Sequence, residues 1–194
     1  MGHSSFLSNY RNPVALLDGR RALIRPIVSA DRDALRLFFR RLGPETMFLR
    51  FQYSKPSVSE QELQSYCECD YERAFTLIAE MEQLTQPRIV GVGRYDCLPN
   101  SRSAEVAFVV EDDEQGNGIG THLLAQLAEV GRDQGLQEFV AETLTYNEIM
   151  LSIFRKYDPG LKKDIDGDGC RVTFSIAPAR RLPSPTAFHV PSVG

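Results

Sequence analysis

Residues 115–121 read Gln-Gly-Asn-Gly-Ile-Gly-Thr, three alternating glycines set between a strand-like run at 104–110 and a helical repeat. Alternating glycines let the backbone approach a ligand with no side chain in the way. In the helix that follows, Leu123, Leu124, Leu127 and Val130 share one face and Gly135 closes it. The free N–H groups of its first turn, and the helix dipole, favour an anion at that point. The junction is expected to cradle a diphosphate.

Two other phosphate loops fail on context. A P-loop ends in Gly-Lys-Ser/Thr, whereas Gly120-Thr121 has no lysine. A dinucleotide fingerprint needs GxGxxG inside a parallel βαβ unit, but the glycines here alternate and the strands before them read as a meander.

Those strands are expected at residues 74–81, 89–95 and 104–110, joined by short turns that imply antiparallel pairing. Upstream, apolar runs at 14–17 and 22–27 flank Asp18-Gly19, a hairpin signal. Leu35, Phe38, Phe39 and Leu42 recur at helical spacing up to Gly43-Pro44, and a second helix starts there with Met47, Phe48 and Phe51. Ser59 and Glu62 have capping-box spacing for a third. Downstream follow a strand at 139–144, a helix at 147–157 and a strand at 171–176. The expected fold class is α+β: a mixed, mostly antiparallel central sheet with helices on both faces. Residues 13–177 form one domain between a short tail at 1–12 and a Pro-rich tail at 178–194.

A net charge of −4 offers no general affinity for nucleic acid or an anionic membrane surface. No stretch approaches a membrane span and the N-terminus has no signal pattern, so no membrane partner is expected. Cys67, Cys69, Cys97 and Cys170 lack paired zinc spacing and are read as reduced structural thiols, which implies a cytoplasmic protein. Asp164-x-Asp166-x-Asp168-Gly169 resembles half of a calcium loop, but position 12 is Ser175. It is read as a solvated turn between strands, and no metal is expected.

The Gln-x-x-Gly-x-Gly run at 115–120, after a strand opening Ala104-Glu105-Val106-Ala107, resembles the coenzyme A signature of the GCN5-related N-acetyltransferases (GNAT). Leu17-Asp18-Gly19, Ile24-Arg25-Pro26-Ile27, Leu49-Arg50-Phe51 and Cys69-Asp70-Tyr71 resemble, more narrowly, the acetyltransferase domain of bacterial protein-lysine acetyltransferases. The resemblance implies the GNAT fold, acetyl-CoA as cosubstrate and a primary amine, foremost a protein lysine, as acceptor. It also implies that backbone groups of Phe108, Val109 and Val110 pair with the pantetheine arm. Gln115, Gly116, Asn117, Gly118, Ile119, Gly120 and Thr121 would hold the pyrophosphate, and Asn147 would contact the cofactor.

The chain departs from that pattern where Asn117 replaces a basic residue. Glu111, Asp112, Asp113 and Glu114 lie just upstream, and four carboxylates beside a polyanion site should repel it unless they point into solvent. Phe154 stands where many small-molecule members carry a proton-donating Tyr, leaving the general acid unassigned. Tyr146 and Tyr157 are read as packing or surface residues rather than as that acid.

A lysine amine has a pKa of about 10.4, so its proton costs roughly 4.6 kcal/mol to remove at pH 7. Glu105 is the expected base. Its neighbours Ala104, Val106 and Ala107 are apolar, surroundings that raise a carboxyl pKa, and the resemblance places the base of lysine-acetylating members at the Glu of this Ala-Glu pair. The alternatives are a small-molecule amine acetyltransferase, with the acidic run drawing in a cationic substrate, and a non-catalytic acyl-CoA-binding regulatory module.

Overall fold

In a computed structural model of the protein, which describes residues 10–70, 72–82 and 87–177, the Asp18-Gly19 pair turns β1 (Asn12–Ala15) into β2 (Arg21–Pro26). Gly19 takes φ +86°. Of the expected tails at 1–12 and 178–194, residues 1–9 and 178–194 lie outside the described residues, and Asn12 already belongs to β1. The Tyr10 hydroxyl donates to Gln126 Oε1 at 2.9 Å.

A 3-10 turn (Ser29–Asp31) and three helices follow: α1 (Arg32–Arg41), α2 (Pro44–Phe51) and α3 (Glu60–Cys67). The capping box forms as its spacing requires: Ser59 Oγ accepts from Glu62 N, and Glu62 Oε2 accepts from Ser59 N at 2.9 Å. The chain then builds the antiparallel run β3 (Ala74–Met81), β4 (Arg88–Cys97) and β5 (Ser103–Val110). A crossover through α4 (Ile119–Asp133) leads to β6 (Glu138–Leu144), which pairs parallel with β5. Then come α5 (Glu148–Tyr157), β7 (Lys162–Asp166) and β8 (Gly169–Ser175), and the sheet order is β1-β2-β3-β4-β5-β6-β8-β7.

Side chains alternate across the strands and divide the interior in two. Phe75, Leu77, Val106, Phe108, Phe139 and Phe174 pack with Leu123, Leu124 and Leu127 of α4 and with Leu151 and Phe154 of α5. Ile78, Val92 and Val109 pack on the opposite face with Leu35, Phe38 and Phe39 of α1, Met47 of α2 and Leu63 of α3. This is the expected mixed sheet, with one strand more than the sequence suggested. Every residue of β7 is exposed, so it carries no alternation to read. Asp164 and Asp166 belong to that strand, and Asp168 to the turn joining it to β8, so the acidic run shapes a hairpin.

Burial raises the Cys67 thiol to about 11 and pushes those of Cys69 and Cys97 up, which makes them unreactive at neutral pH. All four cysteines are free. Among the described residues no helix is long and apolar enough to cross a membrane.

Where the 3-10 turn meets the sheet, Arg25 pairs with Asp31 at 2.7 Å and Glu80 at 2.8 Å, all three largely buried. Burial alone would push the Asp31 carboxyl up; the Arg25 guanidinium and the Val28 N–H outweigh it and hold it below the usual carboxylate range. A depressed carboxyl contributes stability that is full above its unfolded pKa of about 3.9 and is lost as pH falls through the folded value. Asp31→Asn is therefore expected to be less stable than wild type at pH 7, with the gap closing below about pH 4. Denaturant unfolding of both proteins across pH would measure it.

Candidate active site

Strands β5 and β6 pair only over Ser103–Glu105 and Glu138–Val140; beyond that rung they diverge, and β6 continues against β8. Glu111 N donates to Val90 O at 2.9 Å, so odd-numbered residues of β5 turn their backbone groups toward β4 and even-numbered ones toward the fork. Phe108 and Val110 therefore present main-chain groups to the opening. Val109 turns its amide and carbonyl to β4 and contributes a side chain instead. The Val110 carbonyl accepts from Gln115 Nε2 at 3.1 Å.

The glycine-rich turn closes one end of the fork. Gly116 and Gly118 take φ +78° and +91°, a region that side chains disfavour. Gly120 serves packing: a Cβ there would lie 3.1 Å from Phe108 and 3.2 Å from Ile153. The first hydrogen bond of α4 runs from His122 N to Gly118 O at 3.0 Å. The N–H groups of Ile119, Gly120 and Thr121 thus have no carbonyl within the helix and are the donors available to an anion. Across the fork Asn147 caps α5, its Oδ1 accepting from Met150 N at 3.2 Å.

These parts converge on one cavity of about 470 Å³, a size typical of ligand sites. Its wall contains Phe108, Val109, Val110, Gln115, Gly116, Gly118, Ile119, Gly120, Thr121 and Asn147. Asn117 is the one expected cofactor residue outside it; its carbonyl accepts from Leu17 N at 3.2 Å and ties the turn to the β1–β2 hairpin. The side chain of Gln115 is also used structurally, reaching Thr46 Oγ1 at 3.2 Å.

The wall includes residues not expected to line it: Leu17, then Thr46, Leu49 and Arg50 from α2, then Ile149, Ser152, Ile153 and Lys156 from α5. The α5 set had a readable signal. Positions 149, 152, 153 and 156 form one helical stripe, while Leu151 and Phe154 face the core. In the α2 set Leu49 and Arg50 belong to the Leu49-Arg50-Phe51 run that carries the family resemblance, but nothing in that segment shows that it crosses to β5.

Glu105 is exposed and stands on the last paired rung of β5, opposite Val140, at the closed end of the fork. Of the expected apolar neighbours only Ala107 shares its face. Ala104 and Val106 point to the opposite face of the strand, as period-two alternation demands, and the neighbour across β4 is Asp96, paired with Arg94. Phe154 is 1% exposed, stacked on Phe174 at 5.1 Å and edge-on to Phe108 at 5.9 Å. The Tyr157 hydroxyl accepts from Arg132 at 3.0 Å on a different surface, and Tyr146 lies outside the cavity wall.

The acidic run neither faces the cavity freely nor points into solvent as a block. Glu111 and Glu114 are buried, and Asp112 accepts from Gly43 N at 2.9 Å and Thr46 Oγ1 at 2.8 Å, capping α2. Arg41 pairs with Glu111 at 2.9 Å and Arg20 with Glu114 at 2.6 Å, while Arg88 approaches both, at 3.2 and 3.6 Å. The expected repulsion is thereby offset by three guanidiniums.

The profile of the Acetyltransferase (GNAT) family matches residues 45–157. The chain is 31% identical to Acetyltransferase PA5475 of Pseudomonas aeruginosa over 136 residues, 70% of this chain and 73% of that one. It is 32% identical to Acetyltransferase Pat of Mycolicibacterium smegmatis over 145 residues, 73% of this chain but only 42% of that longer relative. The crystal structure of the GNAT domain of S. lividans PAT superposes with TM-score 0.76 at 28% identity, covering 85% of this chain and 96% of that one.

Proposed function

We propose that this chain, which belongs to the acetyltransferase (GNAT) family, transfers the acetyl group of acetyl-CoA directly to the side-chain amine of a protein lysine. Membership makes it an acyl-CoA-dependent N-acetyltransferase. The observation that carries the finer reading is the convergence of three unpaired amides, at Ile119, Gly120 and Thr121, with the open backbone of Phe108 on one cavity. The amides suit a pyrophosphate, and the fork suits a linear arm bearing amide groups.

In this reading the turn and Asn147 hold acetyl-CoA with its thioester toward the closed end of the fork. The amine nitrogen attacks the thioester carbonyl, a C–N bond forms and the C–S bond breaks. Glu105, directly or through one water, takes the proton the ammonium must lose. The thiolate leaves without an assigned acid, which a pKa near 8.5 tolerates. An exposed Glu105 can be reached by a side chain carried on another protein. The small-amine reading leaned on a free acidic run, and Glu111 and Glu114 are instead committed to arginines.

Acetyl-CoA at about 100 times its dissociation constant is expected to add roughly 2.7 kcal/mol of stability, seen as a rise in melting temperature. With labelled acetyl-CoA, label is expected on lysines of protein acceptors in preference to a panel of free amines. No thermal rise at millimolar cofactor would overturn the site, and transfer to free amines alone would overturn the acceptor.

A further inference from the structure

The cavity wall contains two carboxylates, Glu148 on the first turn of α5 and Glu114 at the entrance to the glycine-rich turn, where it should oppose a phosphate ligand. The Glu114 side chain is only 9% exposed and accepts two hydrogen bonds from Arg20, Nη2 to Oε2 at 2.6 Å and Nη1 to Oε1 at 3.1 Å. Arg20 belongs to the β1–β2 hairpin, which reaches the site by a separate route. Leu17 N bonds Asn117 O, and Leu17, 82% exposed and part of the wall, has its Cγ 3.8 Å from where a Cβ of Gly118 would lie. Asp18 completes the arrangement by accepting from Arg20 Nε at 2.7 Å, fixing the guanidinium plane.

We infer that the hairpin tip is a wall of the acyl-CoA site and that Arg20 is a positioning residue, which neutralises Glu114 and holds it off the phosphates. This rests on the acyl-CoA reading of the cavity. It accounts for how the turn accepts a polyanion with Asn117 in place of a cation: Glu114 is engaged by guanidiniums from the hairpin and from β4 rather than offset by a basic residue in the turn. Arg88, 3.6 Å from Glu114, is the secondary partner and cannot form the same two-pronged contact while also facing Glu111.

Removing Arg20 leaves Glu114 underneutralised beside the ligand. Arg20→Met is expected to weaken acetyl-CoA binding and raise its KM about fivefold to twentyfold, with kcat and the acceptor KM unchanged. The loss should shrink between about 0.05 M and about 0.5 M salt as screening tightens. The deciding variant is Arg20→Met with Glu114→Gln. If Arg20 acts through the charge of Glu114, the double variant recovers wild-type affinity to within about twofold. If Arg20 merely tethers the hairpin, the double variant binds no better than Arg20→Met, and the proposal falls. It also falls if Arg20→Met binds as wild type does. Titration calorimetry with acetyl-CoA on the full chain reads all of these. Wild type failing to bind would instead overturn the acyl-CoA reading.

Discussion

Glu105→Gln is expected to lower kcat/KM by about two to four orders of magnitude at neutral pH while leaving acetyl-CoA binding intact. The side chain lies where β5 and β6 part, on an exposed face and outside the wall that would hold the cofactor. Its loss should therefore separate chemistry from binding. An amide cannot take the proton whose removal costs roughly 4.6 kcal/mol at pH 7. That cost falls by about 1.36 kcal/mol per pH unit, so the deficit should shrink as pH rises toward the lysine pKa near 10.4. A pH–rate profile of both proteins tests this. Equal rates across the range would remove Glu105 from the mechanism.

The largest effect on stability is expected at Phe154. Its ring joins Phe108, on the strand that lines the fork, to Phe174 of β8, and is essentially without exposure. Phe154→Ala should cost about 3–5 kcal/mol in denaturant unfolding through the cavity it leaves. Phe154→Tyr asks a functional question at the same position. A hydroxyl placed among these rings lacks a partner, so a loss of about 1–3 kcal/mol with no gain in rate is expected. A rate increase of about tenfold would show instead that the ring edge reaches the thiol end and that an acid was wanting there.

How much of this was legible in the sequence depends on the range of each interaction. The glycine-rich turn and the helix after it were readable because both depend on neighbours within a few residues. Except for Asn117, the expected residues at 108–121 then gather at one cavity because a strand, a turn and a helix follow one another directly. Strand β7 was hidden because an edge strand exposed on both faces carries no hydrophobic period. The acidic run was misjudged for a different reason. Arg20, Arg41 and Arg88 come from a hairpin, a helix and another strand, and only the tertiary fold brings them to Glu111 and Glu114. With Glu105 the slip was one of geometry, since residues adjacent in a strand look away from each other.

The parting of β5 from β6 places a row of backbone groups without a strand partner in the middle of a sheet rather than at its rim. Sheet margins ordinarily invite other chains, and proteins guard them with charge or cover. Here the margin is hemmed in by β6 and β8 on one side and β4 on the other, so a neighbouring sheet cannot dock on it. A slender molecule with its own amide groups can still thread between. By hiding an edge inside itself, the fold keeps that edge from sheet-to-sheet pairing and leaves it room for a single slender chain.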